Sequence, residues 1–217
     1  MKKLFATIFL CASFLVPNAF AHDFSWDNVM LAAVKLDPAF DYQGAADTYM
    51  EIYTPEVWNS VKNDEFELQD KRDEAVKMLK DKVDSFSLDE EFVIDTAMAF
   101  KDYDFDKGVF PVEKFDPNTY FYVTNVQGGK FAYKYQVFIS NPDYVKDLDM
   151  DKNAAKGFLQ SRKNSAGAVD RTIGAKLRFR ITKLTKKEKF ITANLEAEIV
   201  GITTYADPQR ATVLQDY

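Results

Sequence analysis

"KLRFRITKLTKKEKFITANLEAEIV", Lys176 to Val200, decides the fold. In its first part Leu177, Phe179 and Ile181 alternate with Lys176, Arg178 and Arg180. In its second, Ile191, Ala193, Leu195, Ala197 and Ile199 alternate with Asn194, Glu196 and Glu198. A period of two marks a strand with one buried face, and two such runs in series read as a hairpin turning at "TKKEK". Pairing Ile181 with Ala193 sets Arg178 opposite Glu196 and Lys176 opposite Glu198. Apolar residues then meet on one face and opposite charges on the other.

A second hairpin lies upstream in "TYFYVTNVQGGKFAYKYQVFI", Thr119 to Ile139. A two-residue turn at Gly128-Gly129 pairs Val126 with Phe131, Tyr122 with Tyr135 and Tyr120 with Val137. Tyr120, Tyr122, Phe131, Tyr133 and Tyr135 then share one face. A sheet needs one apolar face buried, so these rings read as its core side; the alternative is a platform for sugars or extended peptides. Phe92, Ile94, Met98 and Phe100 alternate as well and predict an extra strand, although "SLDE" at Ser87 to Glu90 also fits a helix capping box.

The first third of the chain has helical spacing instead. Ser25 caps a helix carrying Val29, Met30, Ala33 and Val34, stopped before Pro38. Asp41 caps another with Tyr42, Ala46, Tyr49, Met50 and Tyr53 on one side. Thr54-Pro55 opens a third, longer one, whose stripe of Trp58, Val61, Leu68, Ala75, Leu79, Val83 and Phe86 runs through the charged "NDEFELQDKRDEAVKMLKDK". One-sided packing on the core explains that stripe better than a partner seam. A short helix over Lys152 to Arg162 separates the hairpins. The expected architecture is α+β, with N-terminal helices packed on one face of an antiparallel sheet built from two hairpins plus an extra strand. It forms a single domain over residues 22–217, with 22–86 helical and 87–217 mainly sheet.

Before that domain comes "MKKLFATIFLCASFLVPNAFA". Two lysines, an apolar run from Leu4 to Val16, and small residues at Ala19 and Ala21 predict a cleaved secretory signal over residues 1–21. This places the mature protein in the periplasm or outside the cell. The single cysteine, Cys11, falls inside the signal and lacks the sequence before it that lipidation needs, so the mature chain has no thiol and no disulfide. Setting aside Lys2 and Lys3, 26 basic residues face 34 acidic ones, a net charge of −8. That argues against nucleic-acid binding, and nothing in the mature chain is apolar for long enough to cross a membrane.

The single histidine, His22, excludes Ser-His-Asp and Cys-His catalysis, multi-histidine zinc sites and a two-histidine copper brace. No Gly-rich phosphate loop is present. Paired carboxylates for a hydrolase stay open, because spacing along the chain does not show which acids face each other.

"DYDFDKGVFPVE", Asp102 to Glu113, is the one stretch with a metal-like spacing. In an EF-hand register Asp102, Asp104 and Asp106 take positions 1, 3 and 5, and Glu113 takes the bidentate position 12 of a calcium loop. Lys107 stands where glycine belongs, with Gly108 one place late, and Pro111 and Pro117 break the flanks. In the plainer reading Tyr103, Phe105 and Phe110 point inward while the aspartates face water from a bent edge segment. The phrases "NDEFEL" (Asn63 to Leu68) and "YDFDKGVFP" (Tyr103 to Pro111) resemble an uncharacterised family of exported bacterial proteins, a domain of unknown function. The resemblance implies no activity, cofactor or catalytic residue. The sequence therefore points to a non-enzymatic exported module that binds an envelope protein or small ligand through its helices or sheet edge. A calcium-binding module and a carboxylate hydrolase are the alternatives.

Overall fold

The computed structural model describes residues 21–188, 191–207 and 209–217, without the side chains of 187 and 188. Apart from Ala21, the expected signal lies outside the described residues.

The helical caps fall where the sequence places them. Helix α1 (Trp26–Lys35) starts at Ser25, whose hydroxyl accepts from the Asn28 amide. Helix α2 (Tyr42–Tyr53) starts at Asp41, whose carboxylate accepts from the Gly44 amide at 2.9 Å. The third helix is corrected: it is two, α3 (Pro55–Val61) and α4 (Glu65–Ser85). The Asp64 carboxylate accepts from the amides of Phe66 and Glu67 at 3.1 Å each, so "NDEFEL" is a helix start and not a helix interior. Leu68, Ala75, Val76, Leu79 and Val83 form the buried stripe of α4, which packs mainly on α2. A two-pronged bond from the Arg72 guanidinium to the Asp47 carboxylate, at 2.6 and 2.7 Å, fixes that pair. Lys35 donates to the carbonyls of Val83, Asp84 and Phe86, closing the far end of α4.

The sheet contains β1 (Ala21–Asp23), β2 (Glu91–Ala99), β4 (Tyr120–Thr124), β5 (Lys134–Ile139), β7 (Thr172–Glu188), β8 (Thr192–Tyr205) and β9 (Val213–Asp216), in the order β1-β2-β7-β8-β5-β4, with β9 beside the end of β8. A two-stranded piece, β3 (Val109–Phe110) with β6 (Leu148–Asp149), stands apart, followed by helix α5 (Lys152–Ser161). Both hairpins and the extra strand β2 are present, but the sheet is mixed and not purely antiparallel. β5 runs parallel to β8, and β1 parallel to β2. A parallel neighbour needs a long crossover, and the chain has two. Helices α1 to α4 carry it from β1 to β2, and β6 with α5 carries it between the hairpins.

Both registers differ from expectation. In the second hairpin Ile181 faces Ala197, not Ala193, Arg180 faces Glu198, and β7 continues through "TKKE". Around Ile181 the slip is four residues, even in number, so each face keeps its character there, and irregularities near Phe179, Lys183 and Lys186 shift the register by one residue at each step elsewhere.

In the first hairpin Tyr122 faces Gln136 and Tyr120 faces Phe138, an odd slip that turns β4 over relative to β5. Its cause is the loop over residues 125–133, which turns into the helical layer. Phe131 is 1% exposed, the Trp26 indole donates to the Ala132 carbonyl at 2.9 Å, and the Lys130 amide donates to the Thr48 hydroxyl. Gly129 has φ +47°, and a Cβ there would stand 2.6 Å from the Thr48 side chain. Its role is close approach to α2, not a two-residue turn. Phe121, Val123, Tyr135 and Val137 therefore face the core, and the expectation that Tyr120, Tyr122 and Tyr133 do so is overturned: all three are exposed.

Candidate ligand-binding cleft

The acidic stretch builds a turn. The Asp104 amide donates to the Val109 carbonyl and the Gly108 amide to the Asp104 carbonyl, both at 2.8 Å. Gly108 closes this turn at φ +73°. The Asp104 carboxylate accepts from the amides of Asp106 and Lys107 at 3.0 Å each, with the Lys107 ammonium 3.6 Å away. The Lys107 amide, first among these, holds its pKa below the ordinary 3.8. Asp102 leaves the turn and pairs with Arg171 at 2.5 Å. Asp106 and Glu113 are exposed. The structure does not gather these four acids, and among the described residues no group of three or more His, Cys, Asp or Glu could hold a metal ion. The sharp bend comes at Gly108, one place after the position an EF-hand loop requires. We expect the melting midpoint to be the same in millimolar calcium as in chelator; a rise with calcium would show a site assembled on binding.

Because Asp104 has a depressed pKa, its stabilising effect is present above 3.8 and is lost as pH falls through the still lower folded value. Asp104→Ala should therefore lower the melting midpoint at pH 7. The gap from the parent should close as both are melted at successively lower pH down to about 2.

Phe110 goes into the core from this turn and Tyr103 is half-buried, its hydroxyl donating to the Met150 carbonyl at 2.7 Å. Phe105 does the reverse of what the alternation implies: it stands at the turn's tip, 73% exposed, edge-on to Tyr103 at 5.0 Å. Opposite it lies α5. Asp151 caps that helix through the amides of Asn153 and Ala154, at 2.8 and 3.0 Å. The resulting phase puts Lys152 above Lys156 and Ala155 above Leu159, four residues apart in each case. Phe158 packs inward on Phe100 and Phe110, with centroids 5.5 and 5.7 Å apart. Between turn and helix is a cleft of about 350 Å³ lined by Tyr103, Phe105, Lys152, Asn153, Ala155, Lys156 and Leu159. Neither lysine has a carboxylate partner among the described residues; Lys152 lies 5.9 Å from the Phe105 centroid. Sequence reasoning missed this wall, although the i, i+4 pairs of α5 were its visible trace.

Other surfaces also hold polar groups or rings. A pocket of about 550 Å³ is lined by His22, Asp27, Tyr53, Lys82 and Glu90 among others. His22 stacks on Phe86 at 4.3 Å, with Nε2 3.1 Å from Glu90 and 3.2 Å from the Ser87 carbonyl. The Tyr53 hydroxyl donates to Asp27; burial first, then that carboxylate, raises its pKa. Lys82 lies over the Tyr53 ring at 4.4 Å. These groups hold one another. On the outer sheet face Tyr120 and Tyr122 stand 60° apart, and the Lys134 ammonium lies over both, 5.0 and 4.7 Å from their centroids. Rings so inclined and already bearing a cation make no flat platform for a sugar.

These features describe an α+β protein with a mixed sheet and a small apolar cleft beside it. The chain belongs to the family described as "Domain of unknown function (DUF4852)", which matches residues 41–161. That segment holds both quoted phrases and every residue of the cleft. No curated protein and no solved structure matches the chain.

Proposed function

We propose that this is an exported, non-enzymatic binding module whose ligand site is the cleft between the Tyr103–Val109 turn and α5. One observation carries the reading: Phe105 is held in solvent by a capped turn, facing an apolar helix flank across a space of small-molecule size. A ring that large, left exposed beside Leu159 and Ala155, is explained by an occupant that covers it. Export is supported by the signal pattern of residues 1–21, and N-terminal sequencing of the chain from cell envelopes should begin at His22. Recovery of Met1 instead would remove the export part.

Binding is tested with N-phenyl-1-naphthylamine, a neutral fluorophore that brightens in apolar sites. We expect saturable binding to the parent and its loss in Phe105→Ala. Equal binding by both would remove the cleft from the proposal. The hydrolase reading has one observation in its favour: Asp27 and Glu90 line a common pocket. Their bonds to Tyr53 and His22 favour a structural role, and turnover of any glycoside or ester lost in Glu90→Gln would reverse that.

A further inference from the structure

We infer that the cleft takes a small amphiphilic carboxylate, an apolar body ending in one anionic group. This rests on the reading of the cleft as a ligand site, and it adds the charge of the occupant.

The argument is one of sign. The ionisable groups lining the cleft are Lys152, Lys156 and Tyr103, and the Tyr103 hydroxyl is bound to the Met150 carbonyl. Nearby acids are turned elsewhere. Asp102 pairs with Arg171, Asp104 caps the turn amides, and Asp151 caps the helix amides of Asn153 and Ala154. Asp106 and Asp149 do not line the cleft. In a chain of net charge −6 the cleft is therefore locally cationic, with both ammonium groups on the exposed flank and Ala155 and Leu159 beneath them. An apolar floor below a cationic rim complements a molecule with the same division.

Two flexible lysines suit a single carboxylate held as a point charge, where a planar fork would call for arginine. An anionic membrane surface fits less well. Electrostatic attachment to such a surface uses about four to eight clustered basic residues, and this rim offers two on an acidic protein.

Displacement of the neutral fluorophore tests this, with three monomeric ten-carbon probes of different charge: decanoate, decanol and decyltrimethylammonium. We expect decanoate to displace it at concentrations about tenfold lower than decanol, the preference two partly solvated ion pairs supply, and the cation to be weakest. The preference should shrink in 500 mM salt and vanish in the Lys152→Gln/Lys156→Gln double variant, whose decanol curve stays unchanged. Circular dichroism of that variant should match the parent, because both side chains are exposed. If the fluorophore binds without dependence on Phe105, the cleft reading itself falls, and this inference falls with it. If it binds through Phe105 but decanoate and decanol displace it equally, the carboxylate is refuted and the cleft stands. Lysine-dependent binding to phosphatidylglycerol vesicles, stronger than to decanoate, would replace the free amphiphile with a membrane surface and overturn the inference.

Discussion

Phe131→Ala should cost about 3–5 kcal/mol of unfolding free energy, the range for emptying a buried phenylalanine site, while Tyr122→Ala should cost under about 1 kcal/mol. In urea the first variant's midpoint should fall sharply with its slope unchanged. Phe131 lies parallel to Phe40 with centroids 5.8 Å apart and edge-on to Trp26 at 6.0 Å. Tyr122 is 59% exposed on the outer face. The contrast matters more than either number. With a two-residue turn at Gly128-Gly129 both rings would occupy the same core-facing side, and both truncations would be severe. The observed register instead separates them, one inside the helical layer and one in solvent, because the loop carries Phe131 inward while an odd slip turns β4 over relative to β5. Similar losses in the two variants would restore the simple hairpin.

That register shows where sequence reasoning stopped. Alternation in "KLRFRI" and "ITANLEAEIV" is a property of each strand alone, so the second hairpin was legible. Its pairing was not, because a slip of four satisfies the same pattern. The first hairpin failed for another reason. Gly128-Gly129 looks like turn chemistry, but Gly129 answers to Thr48, 81 residues away in sequence, and no local rule contains that neighbour. The parallel contact of β5 with β8 is likewise set by how two crossovers pack, which strand periodicity does not encode. The helix break was readable in principle. Asp64 followed by Glu67 has the spacing of a capping box, hidden by the strong helix formers around it. In the acidic stretch the sequence presented four acids at metal spacing, whereas the structure uses Asp104 as a cap and leaves Phe105 as the exposed group. Which residue of a turn stands at its tip follows from where the chain closes, here at Gly108.

Arg162→Ala should be the most damaging single change near the cleft, although Arg162 does not line it. We expect a loss of about 1.5–3 kcal/mol, the range for hydrogen bonds made by a charged group. The Arg162 side chain is 8% exposed and donates to three carbonyls, those of Asp170, Ala206 and Thr172. Its guanidinium also lies over Phe158 and Phe100, 5.0 and 5.6 Å from their centroids. It thereby joins the end of α5 to the segments where β7 begins and β8 ends. Removing it leaves those carbonyls without their donor and loosens the helix that forms one wall of the cleft. Fluorophore binding should therefore weaken at temperatures where the variant is still folded, and it should weaken equally at low and high salt. Loss of the rim lysines acts oppositely, changing only the charge preference. Arg162→Lys should recover the smaller part of the loss, because an ammonium cannot lie flat between two rings while reaching three separated carbonyls. If binding is unchanged in Arg162→Ala below its melting transition, Phe158 alone suffices to hold α5, and the cleft owes nothing to this arginine.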